Sequence, residues 1–266
     1  MIGALASNLS AEAAAILGIA AAVSIICFGL RRQFGRLLIV LVVLVLAVLL
    51  LAPSPAADAA DPADTGTGDP TNLGQLIDRQ YNWTHAGRAY SLTMQLDADA
   101  YADARNVSRG TTTLSSYAGY LAPNDPAVRG LADSISALGG DPAVMALSFV
   151  RSLDYRTDLA AYGVEEYPAY PIETLVNGYG DCEDLAALYV SVMQALGRDA
   201  ALLAMLDTPV GGHMAAGIAG NYTGEYVTHN GTAYYYAETT ASMDIGFVPA
   251  SLAWDPAKVN ILGVRT

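Results

Sequence analysis

The chain has 266 residues, 53% of them hydrophobic and only 15% charged, with 13 Lys and Arg against 26 Asp and Glu and a formal net charge of −13. A charged share of about 25% is usual for a soluble domain, so this composition excludes a simple cytosolic enzyme and places part of the chain in lipid. From Pro53 onward 25 acids face 10 bases, a surface that repels nucleic acid and anionic headgroups.

The apolar excess is local. Residues 13–30 carry no charge, and residues 37–52 carry no polar side chain. Each approaches the roughly 20 apolar residues a bilayer crossing needs. Between them lies Arg31-Arg32-Gln33-Phe34-Gly35-Arg36, and short Arg-rich loops stay cytoplasmic. Residues 1–52 therefore read as a transmembrane helical hairpin in the cell membrane, with the rest of the chain on the extracytoplasmic side. The alternative makes Leu37 to Ala52 a signal-peptide core cut near Pro55 or Ala57. Sequons at Asn82, Asn106, Asn221 and Asn230 fit export on either reading.

Residues 53–72 combine Pro, Ala, Asp, Gly and Thr without apolar period, which predicts a flexible linker. Residues 73–266 are then one globular domain. Tyr90, Leu92, Met94 and Leu96 alternate with Ala89, Ser91, Thr93 and Gln95, the period of a strand with one buried face. Asp125-Pro126 and Asp141-Pro142 each place a capping acid before a first-turn proline, predicting two helices joined at Gly139-Gly140. A short helix is expected from Pro171 to Asn177-Gly178. Leu185, Leu188, Tyr189, Val192 and Leu196 then recur at helical spacing up to Gly197, so Cys182 opens an amphipathic helix. Strands are predicted at Ala200 to Leu206, His213 to Ala219 and Tyr234 to Thr240. Asn230-Gly231 reads as a two-residue hairpin turn that pairs positions summing to 461, which sets Glu238 opposite Thr223. For His213 to reach Glu238, the residues between must leave the main sheet as a separate excursion.

Cys27 lies in the first apolar run, so Cys182 is the one thiol of the exported domain. A lone cysteine is often just a small buried side chain. Its place at a helix N-terminus instead favours the thiolate, the form that attacks a carbonyl carbon. Such a nucleophile needs a base and a group that holds the base in one tautomer. Of three histidines, His85 lies in a polar stretch and His229 abuts the Asn230-Gly231 turn, whereas His213 follows Gly211-Gly212 and opens an apolar run. Glu238 closes the run Tyr234-Tyr235-Tyr236-Ala237, and an acid there should find a partner.

Taken together, Gly180-Asp181-Cys182-Glu183-Asp184, His213-Met214-Ala215 and Tyr236-Ala237-Glu238-Thr239-Thr240 resemble the core of the transglutaminase-like superfamily, related in architecture to papain-like cysteine proteases. The likeness spans roughly residues 155–245, and Glu166-Tyr167-Pro168 with Tyr170-Pro171-Ile172-Glu173 is similar to archaeal membrane-anchored members. The resemblance implies an α+β fold with a helix-borne cysteine packed on an antiparallel sheet. By position it implies Cys182 as nucleophile, His213 as general base and acid, and Glu238, where Asp is usual, as orienting acid. The reaction implied is that of a cysteine peptidase or amidase, or a protein-glutamine acyltransferase, passing through a thioester on a protein or peptide substrate. The alternative is a catalytically inactive member of the same fold that binds peptide or glycan at the cell surface.

The acids flanking the thiol oppose its ionisation, each by about 4 kcal/mol at 4 Å in an effective dielectric of 20. Asp181 and Asp184 are expected to cap the helix with their side chains turned from the sulfur. The competing expectation, implied by a calcium-binding branch of the superfamily with a similar Asp-Cys-Glu-Asp stretch, is that Asp181, Glu183 and Asp184 hold Ca²⁺.

Overall fold

The computed structural model describes residues 74–110 and 112–265. The two apolar runs at 13–30 and 37–52, and the linker up to residue 72, lie outside the described residues. Among the described residues no helix is long and apolar enough to cross a membrane.

The domain is α+β. It opens with an antiparallel hairpin of β1 (Leu76–His85) and β2 (Arg88–Asp97). Ala86 and Gly87 both take positive φ at its tip, the turn that matches strand twist. β2 buries Met94 and Leu96 as its alternation predicts. β1 escapes sequence reading because Arg79 falls in line with its inward residues Ile77, Tyr81 and Trp83 and breaks the apolar alternation. Arg79 is only half-buried, and its Nε donates to the Val176 carbonyl at 2.5 Å. His85 therefore ends a strand of its own and does not merely precede the first one.

Helices follow: α1 (Ala98–Asn106), α2 (Pro126–Ala137) and α3 (Pro142–Val150). Asp125 accepts from the amides of Ala127 and Val128, and Asp141 from that of Ala143, so both Asp-Pro starts behave as expected. After β3 (Asp154–Tyr155), α4 (Asp158–Tyr162) and α5 (Pro171–Asn177), the chain enters β4 (Tyr179–Gly180) and α6 (Cys182–Ala195). α6 is not amphipathic in place: Glu183 through Gln194 are all buried. Its apolar periodicity is real, but α2, α3 and α5 cover one side while a sheet covers the other. No side of it is left for water.

That sheet has five strands in the order β7-β8-β6-β5-β9, built from β5 (Ala200–Met205), β6 (His213–Ala219), β7 (Tyr226–His229), β8 (Thr232–Ala237) and β9 (Asn260–Leu262). Asn230 and Gly231 take positive φ, and β7 pairs β8 with Tyr226 opposite Tyr235 and His229 opposite Thr232, the predicted register. β8 also pairs β6, with Ala216 opposite Ala237. The intervening residues do not leave the sheet as expected: β7 joins it as the edge strand beyond β8, which leaves the other side of β8 free to pair with β6. Met214, Ala216, Ile218 and Ala237 face α6, while Ala215, Tyr234 and Tyr236 face away into a second small core.

Candidate active site

The β6–β8 register, continued one step past Ala216 and Ala237, sets residue 238 opposite Ala215. His213 is then its diagonal neighbour on the same face, about 7–8 Å away between backbones. A glutamate spans that diagonal. His213 Nε2 and Glu238 Oε2 lie 3.0 Å apart. The same oxygen accepts from the Tyr236 hydroxyl at 2.5 Å, and Oε1 accepts from the Thr240 amide and hydroxyl at 2.9 and 2.7 Å. Burial pushes the Glu238 carboxyl up, but the His213 bond and charge, followed by Tyr236 and Thr240, outweigh it and hold the group at about 2. Glu238 is therefore an anion at any working pH and can only accept. Nε2 must carry its proton, which leaves Nδ1 of a neutral His213 as a lone pair. Tyr236 and Thr240 belong to the run that carries the resemblance, but nothing in the sequence gives them the role of donors to Glu238. Arg151, at the C-cap of α3, adds a third tie, its Nε donating to the Glu238 carbonyl oxygen at 2.8 Å.

Cys182 is the first residue of α6, and the backbone amide of Met214, the residue after His213, is among the groups that act on its thiol. Thiol and imidazole thus belong to one end of the sheet. The thiol proton, however, goes to Glu183 Oε2 at 3.1 Å. Burial first, then the charge and hydrogen bond of Glu183, drive the thiol well above its usual range, and the Met214 amide pulls the other way. The thiolate expected from the helix dipole is therefore not favoured here. Desolvation and an adjacent carboxylate overwhelm a dipole effect of at most about 2 kcal/mol.

The capping expectation for the acids also fails. Asp181 stands at the N-cap position without a side-chain cap bond, and Asp184 Oδ1 accepts instead from the Ala169 amide at 2.7 Å. The two-residue parallel pairing of Tyr155 with Gly180 brings a further acid, Asp158, to the same place. Two overlapping groups of carboxylate oxygens, each within 4.8 Å of one another, result: Asp158, Asp181 and Asp184, and Asp158, Glu166 and Glu183. Asp158 and Glu166 escape sequence reading because nothing in their spacing ties them to the cysteine segment. Asp158 Oδ1, Asp181 Oδ1 and Asp184 Oδ2 are buried without a hydrogen-bond donor. Among the described residues, none of the ion pairs involves these acids. Burial and mutual repulsion raise Asp158 to about 7, Asp181 to about 8 and Glu183 to about 7, and raise Asp184 as well. Hard oxygen donors, buried, unpaired and converging, fit a Ca²⁺ ion.

Gly180 makes room for this cluster. A Cβ there would stand 2.6 Å from the Asp184 Cβ, and both residues are buried with little room to yield. Gly180→Ala is expected to cost about 1–3 kcal/mol, read as a lower urea midpoint with an unchanged slope.

Tyr162, Tyr167 and Tyr179 pack on one another, with Tyr162 and Tyr167 centroids 4.2 Å apart, and Arg105 lies over the first two. They are packing residues.

The sequence matches no protein-family model and no curated protein. Among solved structures it is similar to calcium-bound Legionella pneumophila LapG (TM-score 0.32, 21% identity, 50% of this chain and 79% of that one). It is similar to EGTA-treated Legionella pneumophila LapG (0.33, 21%, 50% and 77%). It is also similar to a TGase (0.33, 13%, 62% and 44%).

Proposed function

We propose that this chain is a membrane-anchored, extracytoplasmic cysteine peptidase or amidase of transglutaminase-like type, with Cys182 as nucleophile, His213 as base and acid, and Glu238 as orienting acid. The single observation that carries the reading is the buried, four-donor Glu238 carboxylate holding His213 at Nε2. Residues 1–52 supply the anchor and 53–72 the spacer in this reading. The four sequons, all exposed where the structure describes them, support export.

The chemistry follows from the protonation states. Nδ1 of His213 takes the thiol proton as Sγ bonds the substrate carbonyl carbon, and the imidazolium is stabilised by the Glu238 anion. The backbone N–H of Cys182, the first amide of α6, serves as one donor to the developing oxyanion. Collapse breaks the C–N bond, and the Nδ1 proton leaves with the amine. Water, deprotonated at Nδ1, then resolves the thioester to acid and thiol; an incoming amine would make the same step a transamidation. Asp158, Asp181, Glu183 and Asp184, with Glu166, would hold calcium, which when bound supplies the positive charge these acids lack.

A receptor reading is favoured by one observation, the protonated Cys182 thiol donating to Glu183. Iodoacetamide alkylation of Cys182, followed by peptide mass spectrometry from pH 5 to 9 with and without Ca²⁺, separates the two. For the enzyme, His213→Ala slows labelling at pH 7 by at least about tenfold, since it removes the base. Labelling that tracks an unassisted thiol and ignores His213 leaves only the receptor.

A further inference from the structure

The sheet face turned away from α6 carries its own core of Leu203, Met205, Tyr234, Tyr236 and Leu252. A cleft of about 640 Å³ opens at one end of that core, between the β5–β6 loop and the segment running from Leu252 to Asn260. Two contacts join it to the site above. Met205, on its wall, is the register partner of His213. Trp254, also on its wall, stands edge-on to Tyr236 at 5.4 Å, and Tyr236 donates to the carboxylate oxygen that His213 holds. The Trp254 indole N–H is buried with no acceptor, a state native structures seldom tolerate. Leu206 lines the same cleft and is 62% exposed, an apolar side chain left in water beside a concave wall. Met205, Pro209, Leu252 and Val259 continue the apolar lining, Thr208 and Asn260 add neutral polar groups, and Asp207, Asp255 and Lys258 leave a net charge of only −1.

We propose that this cleft is the subsite for an extended peptide segment with apolar side chains on the leaving-group side of the scissile bond. A substrate carbonyl there accepts from the Trp254 indole N–H. The side follows from the chemistry: the histidine protonates the departing amine, so the chain leaving with that amine lies on the histidine's side of the sulfur. The assignment rests on the catalytic reading for its place in the reaction, and on the cleft alone for its ligand.

Trp83 and Trp254 are the only tryptophans, and Trp83 sits in the hairpin against Tyr90 and Phe149. Intrinsic fluorescence of the full-length chain therefore reads the cleft directly. Acetyl-Ala-Leu-Ala-Leu-amide is expected to give a saturable emission change that Trp254→Phe removes and Leu206→Asp weakens at least tenfold. Acetyl-Ala-Lys-Ala-Lys-amide and its Glu counterpart should bind at least tenfold more weakly. No Trp254-dependent change, a response that survives Leu206→Asp, or equal binding of all three peptides overturns the subsite. Cys182 alkylation in the same samples keeps the two ideas apart. His213-dependent labelling with a silent Trp254 sinks the subsite alone, whereas a responding Trp254 beside an ordinary thiol sinks the catalysis and supports the peptide cleft.

Discussion

Glu238→Gln is expected to lower peptide-amide turnover by about 10²–10⁴-fold, with Glu238→Asp falling between it and the unaltered chain. Four donors converge on the carboxylate. A glutamine can offer its carbonyl to one pair but must turn its NH₂ toward the other. Nε2 of His213 then loses either its acceptor or the charge that stabilises the imidazolium. Aspartate keeps the charge but is one methylene short, and on a diagonal of the β6–β8 register the missing reach matters more than it would for residues directly opposite. The ordering Glu above Asp above Gln distinguishes this geometry from one in which aspartate, the residue usual in the resembled superfamily, would serve equally well. Tyr236→Phe leaves three of the four donors and should cost only about three- to tenfold. Release of fragments from fluorescein-labelled casein, with kcat and KM separated, measures all three variants. Dansylcadaverine incorporation run in parallel reports whether an amine can replace water. Equal turnover for Glu238→Gln and the unaltered chain would remove Glu238 from the mechanism.

The parts of this site that the sequence discloses are those set by local chemistry. Asp125-Pro126 and Asp141-Pro142 dictate helix starts through one residue's cap and the next residue's φ. Asn230-Gly231 dictates both a turn and a register, but not that β7 would stay in the sheet as its edge strand while the other side of β8 pairs with β6. What sequence does not disclose depends on contacts between distant segments. Asp158 joins Asp181 only because a two-residue parallel pairing holds Tyr155 beside Gly180. The thiol donates to Glu183 because Glu183 is buried beside it in that same acidic neighbourhood. Helix dipole, capping preference and amphipathic period each point to a plausible arrangement of Cys182 and its flanking acids. Each yields to desolvation once α2, α3, α5 and the sheet close around α6.

In the presence of a chelator, the melting temperature of the chain should fall as pH rises from 6 to 8.5, the reverse of ordinary carboxylate behaviour. Asp158, Asp181 and Glu183 take protons in the folded state with values of about 7, 8 and 7. In the unfolded chain such groups titrate near 4. Between those limits the folded state binds more protons than the unfolded one, so stability is greatest on the acid side and drains away as these groups ionise against one another. Glu238 runs the other way: its contribution is complete above about 4 and is lost only as pH falls toward 2, outside this window. Calcium should flatten the slope. At a hundred times its dissociation constant, a ligand bound only by the folded state adds about 2.7 kcal/mol, roughly 5–10 °C for a domain of this size. Asp184→Asn separates the causes. Its carboxyl is 1% exposed with Oδ2 unpaired, so neutralising it should raise the chelated protein's melting temperature at pH 8 while abolishing the calcium response. A melting temperature indifferent to calcium, with the pH slope intact, would leave the acids as a repulsive cluster and remove the ion from the proposal. A flat profile in chelator would show that these carboxylates are not desolvated together.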